Sequence, residues 1–309
     1  VRTNLDIELT KNVRLTTNLN VIRDNTDSYH WRWPYQPFLY LPYDTPFDAD
    51  GNQRYVDATT PGFLTRDKNN IFHSAQYNTY DSRSTNITGD AVLTANIRPW
   101  LTFQSRNRVS MYSSRSDSYE DARTIEGFIN STTKGVLSFG TGEGYGVIST
   151  NLLRASRDIG KHQVGGFIGF EGQDSQNESA GGAGWGIISG IKVPSGVATP
   201  QSISGGKTKE TAMSFLSEVN YNFDEKYFLS LAVRRDGSSK FGANRRWGTF
   251  GAISGSWIIS KEEFLYPAAD IISFAKLRGG FGIVGNDNIL PFKYLALYDF
   301  RTQYNGSSG

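Results

Sequence analysis

The sequence predicts an all-β protein: a segment of an antiparallel transmembrane β-barrel, with short periplasmic turns at one end of its strands and long extracellular loops at the other. Apolar and polar residues alternate along runs of about nine to thirteen residues, the pattern of strands with two unlike faces. Short and long connections alternate between these runs. No apolar run reaches the ~18 residues of a spanning helix, so any membrane crossing falls to the strands.

The alternation predicts the strands in chain order. In residues 1–9, Leu5, Ile7 and Leu9 share one face, and residues 13–21 repeat the pattern after the turn Thr10-Lys11-Asn12, which makes the pair a hairpin. Nine further strands are expected at residues 87–97, 101–111, 148–157, 162–172, 213–223, 227–234, 246–259, 274–284 and 293–300. The total is then eleven strands, or ten without the last of these.

The lengths of the connections distinguish the periplasmic end of the strands from the extracellular end. Those near residues 11, 99, 160 and 225 are short, and the segments 23–85, 113–147 and 174–209 are expected to be long loops. In outer-membrane barrels the short turns face the periplasm, the loops face the exterior, and the polar strand face lines the lumen.

Residues beside the short turns fit the same arrangement. Trp100, Phe223 and Tyr227 flank them, where a barrel carries an interfacial girdle of aromatic side chains. Ser260 with Glu263 three positions later is a capping-box pattern and predicts a short helix on the turn side.

Composition excludes several classes of function. The 309 residues include 33 glycines and 13% aromatic residues, a β-rich balance. A net charge of +2 provides no field for capturing nucleic acid, and no nucleic-acid partner is expected. The absence of cysteine excludes thiolate zinc sites and cysteine nucleophiles, and the three histidines are too far apart for a histidine-rich metal site. We therefore expect no cofactor, no metal centre and no enzymatic activity.

Two other interpretations of the same sequence pattern remain open. A self-contained small porin would need a closing terminal strand, which the sequence does not show. In a soluble β-sandwich carbohydrate-binding protein, the apolar strand face would pack against a second sheet. A retaining glycosidase would need two carboxylates about 5–5.5 Å apart, and no acidic pair is singled out by its setting.

One region resembles a known family. The stretch Val233-Arg-Arg-Asp-Gly-Ser-Ser-Lys-Phe-Gly242, then Arg246-Trp-Gly-Thr-Phe250, Ser256-Trp-Ile-Ile-Ser-Lys-Glu262 and Leu277-Arg-Gly-Gly-Phe-Gly-Ile-Val-Gly-Asn286, closely resembles the SusC/RagA family of TonB-linked outer-membrane transporters. The resemblance implies a barrel of 22 strands. Residues 1–309 are then expected to be part of the barrel domain, without the plug, the N-terminal domain and the closing strands.

The resemblance also implies a function and its partners. Members import oligosaccharides or peptides together with a SusD-like surface lipoprotein. The TonB–ExbB–ExbD complex drives this import through the plug region. The implied location is the outer membrane of a Gram-negative, Bacteroidetes-like cell, with outer-membrane lipid around the barrel.

Seven residues are candidates for ligand binding. Aromatic faces hold sugars, so the loop residues Trp31, Trp33, Tyr35, Phe38 and Tyr40 are candidates, unless they pack the long loop onto itself. Arg106 and Arg108 lie on a polar strand face, where they could attract anionic ligands or pair with acidic side chains such as Asp90.

The family motif residues are expected to have structural roles at the outer rim. They are Arg235, Asp236, Gly237, Ser238, Ser239, Phe241, Gly242, Gly285 and Asn286. The glycine-rich stretches 140–146 and 181–186 lack the strand-to-helix context of a phosphate loop and are predicted to be flexible loops.

Overall fold

Most strands of the described residues belong to one large antiparallel sheet. The computed structural model describes residues 1–28, 38, 41–64, 69–129, 132–268, 270–295, 303–304 and 307–308. Ten strands pair in chain order: β1 Arg2–Thr10, β2 Val13–Ser28, β3 Thr79–Arg98, β4 Leu101–Glu120, β5 Val136–Ile159, β6 His162–Trp185, β7 Thr199–Phe223, β8 Tyr227–Ser238, β9 Trp247–Ile258 and β10 Lys276–Ile283. The prediction of an all-β antiparallel fold is confirmed.

Few other regular elements occur among the described residues. One short helix, α1, spans Ile71–Tyr77, and a two-residue hairpin pairs β11 Gln303–Tyr304 with β12 Ser307–Ser308. Short 3-10 turns lie at Pro194–Gly196, Ala243–Arg245, Ile259–Lys261 and Glu263–Ala268. None of the helices described is long and apolar enough to cross a bilayer.

The strand register gives the sheet two unlike faces. Residues directly opposite each other in antiparallel strands share a face, so Leu231 of β8 lies beside Val219 of β7 and Ile253 of β9, which in turn lies beside Phe281 of β10. Extending this pairing to β1 joins Leu5, Leu15, Leu93, Phe103, Leu153 and Ile168 to the same side. We call this side the apolar face and the opposite side the polar face.

Aromatic rings border the apolar face at the turn end of the strands. The rings of His162 and Phe223 are 5.0 Å apart, those of Phe223 and Tyr227 are 6.2 Å apart, and those of Tyr227 and Trp257 are 6.3 Å apart. Cross-strand pairing places these four residues in one row. Phe223 and Tyr227 are two of the three residues expected in a girdle.

A second aromatic row borders the apolar face towards the loop end. The rings of Phe170 and Phe215 are 5.5 Å apart, and those of Phe215 and Trp247 are 6.2 Å apart. On β9, Trp247 and Trp257 are separated by ten residues, which is about 34 Å along a strand and ~26 Å for a strand tilted by about 40°. This height matches the apolar band of outer-membrane barrels.

Strands β2 to β8 are longer than predicted and the loops between them are correspondingly shorter, whereas β9 and β10 are shorter than the expected 246–259 and 274–284. Strands β5, β6 and β7 contain 24, 24 and 25 residues. The expected loops 113–147 and 174–209 therefore reduce to the connections 121–135 and 186–198. Beyond the apolar band both strand faces are polar, so alternation no longer marks the strand. Backbone pairing continues because it does not depend on side-chain polarity.

The prediction of flexible glycine-rich loops is wrong. Residues 140–146 lie in β5 and residues 181–186 lie in or just beyond β6, and the two stretches meet at the cross-strand pair of Gly140 and Gly181. Glycine leaves space for neighbouring side chains here, because a Cβ on Gly144 would lie 2.6 Å from the Tyr112 ring. In these strands glycine permits close approach rather than flexibility.

Two smaller expectations also differ from the structure. Ser260 does not cap a helix: its hydroxyl faces the carbonyl of Ala275 at 3.5 Å, and the segment forms 3-10 turns, the second containing Pro267. Residues 291–294 form turns and 295 a bend instead of the start of the expected strand 293–300, whose remainder lies outside the described residues.

Candidate functional site

The polar face carries the charged and hydrogen-bonding side chains of the strands. Cross-strand pairs hold several of them in place, such as Thr150 donating to Glu171 at 2.9 Å and Asn222 donating to Gln163 at 2.6 Å. Lys276 lies 5.0 Å from the centre of the Phe228 ring. This surface can offer donors and acceptors to a polar ligand along the length of the strands.

The family motif builds one cavity where β8, β9 and β10 reach the loop end. The cavity has a volume of about 290 Å³, and we call it the rim cavity. Motif residues contribute much of its lining: Asp236, Gly237, Ser238, Phe241, Gly285 and Asn286. Stretches separated by about 50 residues of sequence thus meet in space, which the sequence alone could not show.

Charged side chains organise the floor of the rim cavity. Arg234 donates to Asp236 at 2.6 Å and to the hydroxyl of Ser214 at 3.0 Å, and it lies 3.7 Å from Glu171. Ser214 is only 5% exposed. Arg234 therefore joins β6, β7 and β8 through their polar faces and fixes the position of the Asp236 carboxylate.

The serines of the motif close the turn after β8. The backbone amide of Ser239 donates to the carbonyl of Thr211 at 2.9 Å, and its hydroxyl accepts from the amide of Thr211 at 2.9 Å. The amide of Ser238 donates to the carbonyl of Arg246 at 3.0 Å. The motif thereby ties the β8–β9 connection to β7.

The other motif residues lie around this turn. Arg235 is on the apolar face, where its guanidinium carbon is 5.4 Å from the centre of the Trp247 ring. A Cβ on Gly237 would lie 3.0 Å from the same ring, and one on Gly242 would lie 3.6 Å from Tyr294. Asn286 accepts from the amide of Asn288 at 2.9 Å, which fixes the turn after β10.

Two glycines hold the Phe250 ring. A Cβ on Gly285 would overlap the Phe250 ring, and one on Gly248 would lie 2.7 Å from it. The ring therefore lies against both backbones, and a methyl group added at either position would have to displace it. This contact gives a physical reason for glycine at position 285.

Gly285→Ala is therefore expected to destabilise the loop end of the sheet by about 1–3 kcal/mol, through overpacking against Phe250. The measurement is the thermal unfolding of the whole protein in detergent. Phe250→Leu should recover part of the loss when combined with Gly285→Ala. An unchanged melting temperature for Gly285→Ala would contradict the packing described here.

The two candidate arginines lie on the polar face of β4 but differ in their surroundings. Arg108 donates twice to Asp90 of β3, at 2.7 and 3.3 Å, so its charge is paired. Arg106 is exposed and lies opposite Val92 of β3 and Thr150 of β5. Of the two, Arg106 is the one whose position leaves it open to a ligand.

The aromatic candidates in the first loop fall, with one exception, outside the described residues. Trp31, Trp33, Tyr35 and Tyr40 lie outside the described residues. Phe38 is described and is 86% exposed. Their role as ligand contacts stays a prediction.

A buried carboxylate cluster at the loop end has no counterpart in the sequence analysis. Glu126 accepts from Asn69 at 2.5 Å, from Ser74 at 2.6 Å and from Asn78 at 3.2 Å. All four side chains are buried. The donors lie 48 to 57 residues before Glu126, so no local pattern connects them to it.

Asp121 forms a second buried centre close by. It accepts from Tyr119 at 2.7 Å, from Arg123 at 2.9 Å and from Ser189 at 2.8 Å. Burial raises the pKa of Asp121, but the hydrogen bonds from Arg123, Tyr119 and Ser189 outweigh it and hold that pKa well below its ordinary value. Burial also lowers the pKa of His73 in α1, so its neutral form is favoured.

Together these two centres link three connections at the loop end. Glu126 binds α1 of the β2–β3 connection, and Asp121 binds Ser189 of the β6–β7 connection. We call residues 69–78, 119–127 and 187–190 the loop assembly. Among the residues that the structure describes, no group of three or more acidic or histidine side chains is arranged to hold a metal ion.

Curated relatives support the family resemblance. The chain is 39% identical over 102 residues to the TonB-dependent receptor P39 of Formosa agariphila, and 39% identical over 98 residues to the TonB-dependent receptor SusC of Bacteroides thetaiotaomicron. It is 28% identical over 160 residues to the TonB-dependent receptor P3 of Formosa agariphila. These segments cover 33%, 31% and 49% of this chain but only 10%, 10% and 15% of the relatives. No family model matches the chain.

Solved structures support the fold. The RagAB peptide transporter aligns with 96% of this chain at a TM-score of 0.77 and 22% identity, and the RagAB peptide importer in its open-open state aligns with all of it at 0.77 and 20%. The chain spans about a third of those chains. The predicted barrel-segment fold and the resemblance to SusC/RagA proteins are confirmed. The relatives named here are receptors and transporters, which agrees with the expectation of no enzymatic role.

Proposed function

We propose that this chain, a SusC/RagA-like barrel segment, is part of a TonB-dependent transporter that imports nutrients through the outer membrane of a Gram-negative cell. The observation that carries the proposal is the pair of unlike faces on one ten-stranded sheet whose sequence matches TonB-dependent receptors. The apolar face then contacts lipid, and the polar face lines the lumen. The whole transporter would supply the plug on which TonB acts.

The polar face favours a hydrophilic cargo. The rim cavity and the strands below it offer hydroxyl, amide, carboxylate and guanidinium groups, which suit oligosaccharides or peptides rather than apolar ligands. The similar structures are named for peptide transport, and the curated relatives include SusC. We propose oligosaccharides or peptides as the substrate class.

We further propose a SusD-like lipoprotein as the partner at the loop end. The loop assembly supports this because buried carboxylates hold three connections in fixed positions, which gives a lid protein a defined surface to contact. Exposed aromatic side chains such as Phe38 lie in the same group of connections. The TonB–ExbB–ExbD complex would act from the periplasmic side.

The test is energy-dependent uptake in a Bacteroidetes host that produces the whole protein. Panels of fluorescent oligosaccharides and peptides are offered to the wild type, to a strain lacking the gene and to a strain lacking TonB. Uptake of at least one panel member should require both the gene and TonB. Uptake that needs the gene but not TonB would contradict the proposal and favour the small porin.

Arg106 gives a site-specific prediction for the same assay. Arg106→Ala is expected to lower the uptake of an anionic substrate several-fold and to leave that of a neutral one unchanged, because its charge faces the lumen. Lys11→Ala, in the exposed β1–β2 turn, is the matched control. Equal uptake by both variants would exclude Arg106 from the cargo path.

A further inference from the structure

The connection between β9 and β10 differs from the other connections at the turn end. Four of those five connections are turns of two or three residues, whereas this one spans residues 259–275. It carries exposed apolar side chains in a sequence of 3-10 turns, with Phe264 68% exposed and Tyr266 59% exposed. Further along, Ile271 and Phe274 are also exposed. A short turn would have joined the strands without exposing any of them to water.

Glu262 fastens the start of this connection to the apolar side of the sheet. Its carboxylate accepts from the hydroxyl of Tyr227 at 2.5 Å and from the indole nitrogen of Trp257 at 3.0 Å. Both donors belong to the aromatic row that borders the apolar face. The hydrogen bonds from Tyr227 and Trp257 lower the pKa of Glu262, so the carboxylate is charged at neutral pH.

Phe264 continues the aromatic row. Its ring centre lies 6.4 Å from that of Trp257, in an edge-on arrangement at 62°. The row therefore runs His162, Phe223, Tyr227, Trp257, Phe264 without leaving the apolar side. The connection therefore continues the apolar side of the sheet at the turn end.

We propose that residues 262–266 are a membrane-interface anchor, in which Phe264 and Tyr266 insert at the boundary between phospholipid headgroups and acyl chains and Glu262 sets their position. Aromatic side chains favour this boundary because they combine an apolar ring with polar surroundings. Lys226 pairs with Glu262 at 3.5 Å and Lys261 pairs with Glu225 at 2.7 Å, so charged side chains adjoin the aromatic row at this end of the sheet. The inference rests on the membrane placement given under the proposed function.

The occupant is lipid because the patch is continuous with the band that faces the bilayer. Trp257 of the aromatic row and Phe264 of the connection are in edge-on contact, so the patch begins where the border of the apolar face ends. Phe264 thus extends the aromatic row of the apolar face by one ring beyond Trp257. A periplasmic protein or another part of the same chain remains a distinct outcome of the test below.

The absence of cysteine makes site-specific labelling direct. Tyr266→Cys, Leu231→Cys in the centre of the apolar face and Lys11→Cys in an exposed turn are each labelled with an environment-sensitive fluorophore in the whole protein in lipid nanodiscs. Quenching is measured with phosphatidylcholine carrying a spin label either near the headgroup, for position 266, or deep in the acyl chain, for position 231, and with iodide in the water. We expect lipid to quench the probe at position 266 at least twice as strongly as the probe at position 11. Iodide should quench the probe at position 266 less than the probe at position 11.

Each other result overturns the proposal. If iodide quenches the probe at position 266 as strongly as the probe at position 11, while lipid quenches the probe at position 231, the connection lies in water. A probe at 266 protected from both quenchers places it under protein. Failure of lipid to quench 231 would refute the membrane placement itself, and with it both this proposal and the proposed function.

Glu262 is tested as a positioning residue with the same probe. Glu262→Ala should lower lipid quenching at 266 at least twofold, whereas Glu262→Gln should preserve it because the amide oxygen still accepts from Tyr227 and Trp257. The exposed neighbour Glu263 provides the matched control, as Glu263→Ala. Equal quenching in Glu262→Ala, Glu262→Gln and Glu263→Ala would show that Glu262 does not position the anchor.

Discussion

Leu231→Arg is expected to destabilise the membrane-inserted protein by about 2–4 kcal/mol, because an arginine at the bilayer midplane loses its hydration. Leu231 lies midway along β8 on the apolar face, flanked by Val219 and Ile253, and is 44% exposed in the isolated sheet. The measurement is urea-induced unfolding of the whole protein from lipid vesicles, followed by tryptophan fluorescence.

The next residue along the strand supplies the control. Ala232 lies on the polar face, opposite Glu218 and Ala252, so Ala232→Arg places the same charge in the lumen beside a carboxylate. It should change the free energy of unfolding by less than about 1 kcal/mol. Equal losses in the two variants would contradict the assignment of the two faces and reopen the sandwich alternative.

Glu126→Ala is expected to weaken the loop assembly by about 3–5 kcal/mol. Three buried donors, from Asn69, Ser74 and Asn78, lose the carboxylate that accepts their hydrogen bonds, and hydrogen bonds to a charged group are the strong ones. Hydrogen exchange of the amides in α1 should accelerate by about 100-fold or more if the helix opens locally.

Two further variants separate the hydrogen bonds from the loss of a side chain. Glu126→Gln retains an acceptor oxygen and should accelerate exchange less than Glu126→Ala. Glu143→Ala removes an exposed carboxylate on β5 and should leave exchange in α1 unchanged. Unchanged protection in Glu126→Ala would show that this cluster does not hold the connections together.

The regions that sequence reasoning predicted correctly are those inside the apolar band. There each strand alternates because lipid lies on one side and polar groups on the other, so the end of β7 at Phe223 and the start of β8 at Tyr227 were predicted to the residue. Above the band the environment is polar on both sides. The pattern disappears, and the upper halves of β5 and β6 were therefore interpreted as loops, with their glycines as a sign of flexibility.

For the family motif, the sequence predicted the role of the residues but not the contacts that explain it. The sequence predicted a structural role for Asp236, Gly237 and Gly285 because of the family resemblance. Only the structure gives physical reasons, since Arg234 fixes Asp236 and the Phe250 ring occupies the space that a side chain on Gly285 would need. These contacts join separate strands and leave no periodic trace in the sequence.

The sequence by itself therefore determined the fold class, the antiparallel order, the two faces and the family resemblance. All of these depend on local alternation, turn chemistry or short motifs, which a single chain displays directly. The tertiary structure alone decided the strand lengths beyond the band, the carboxylate centres at Glu126 and Asp121, and the fastening of Glu262 to Tyr227 and Trp257. Those features depend on which distant residues meet, and burial and hydrogen bonding between such residues follow from strand register and loop packing instead of from spacing along the chain.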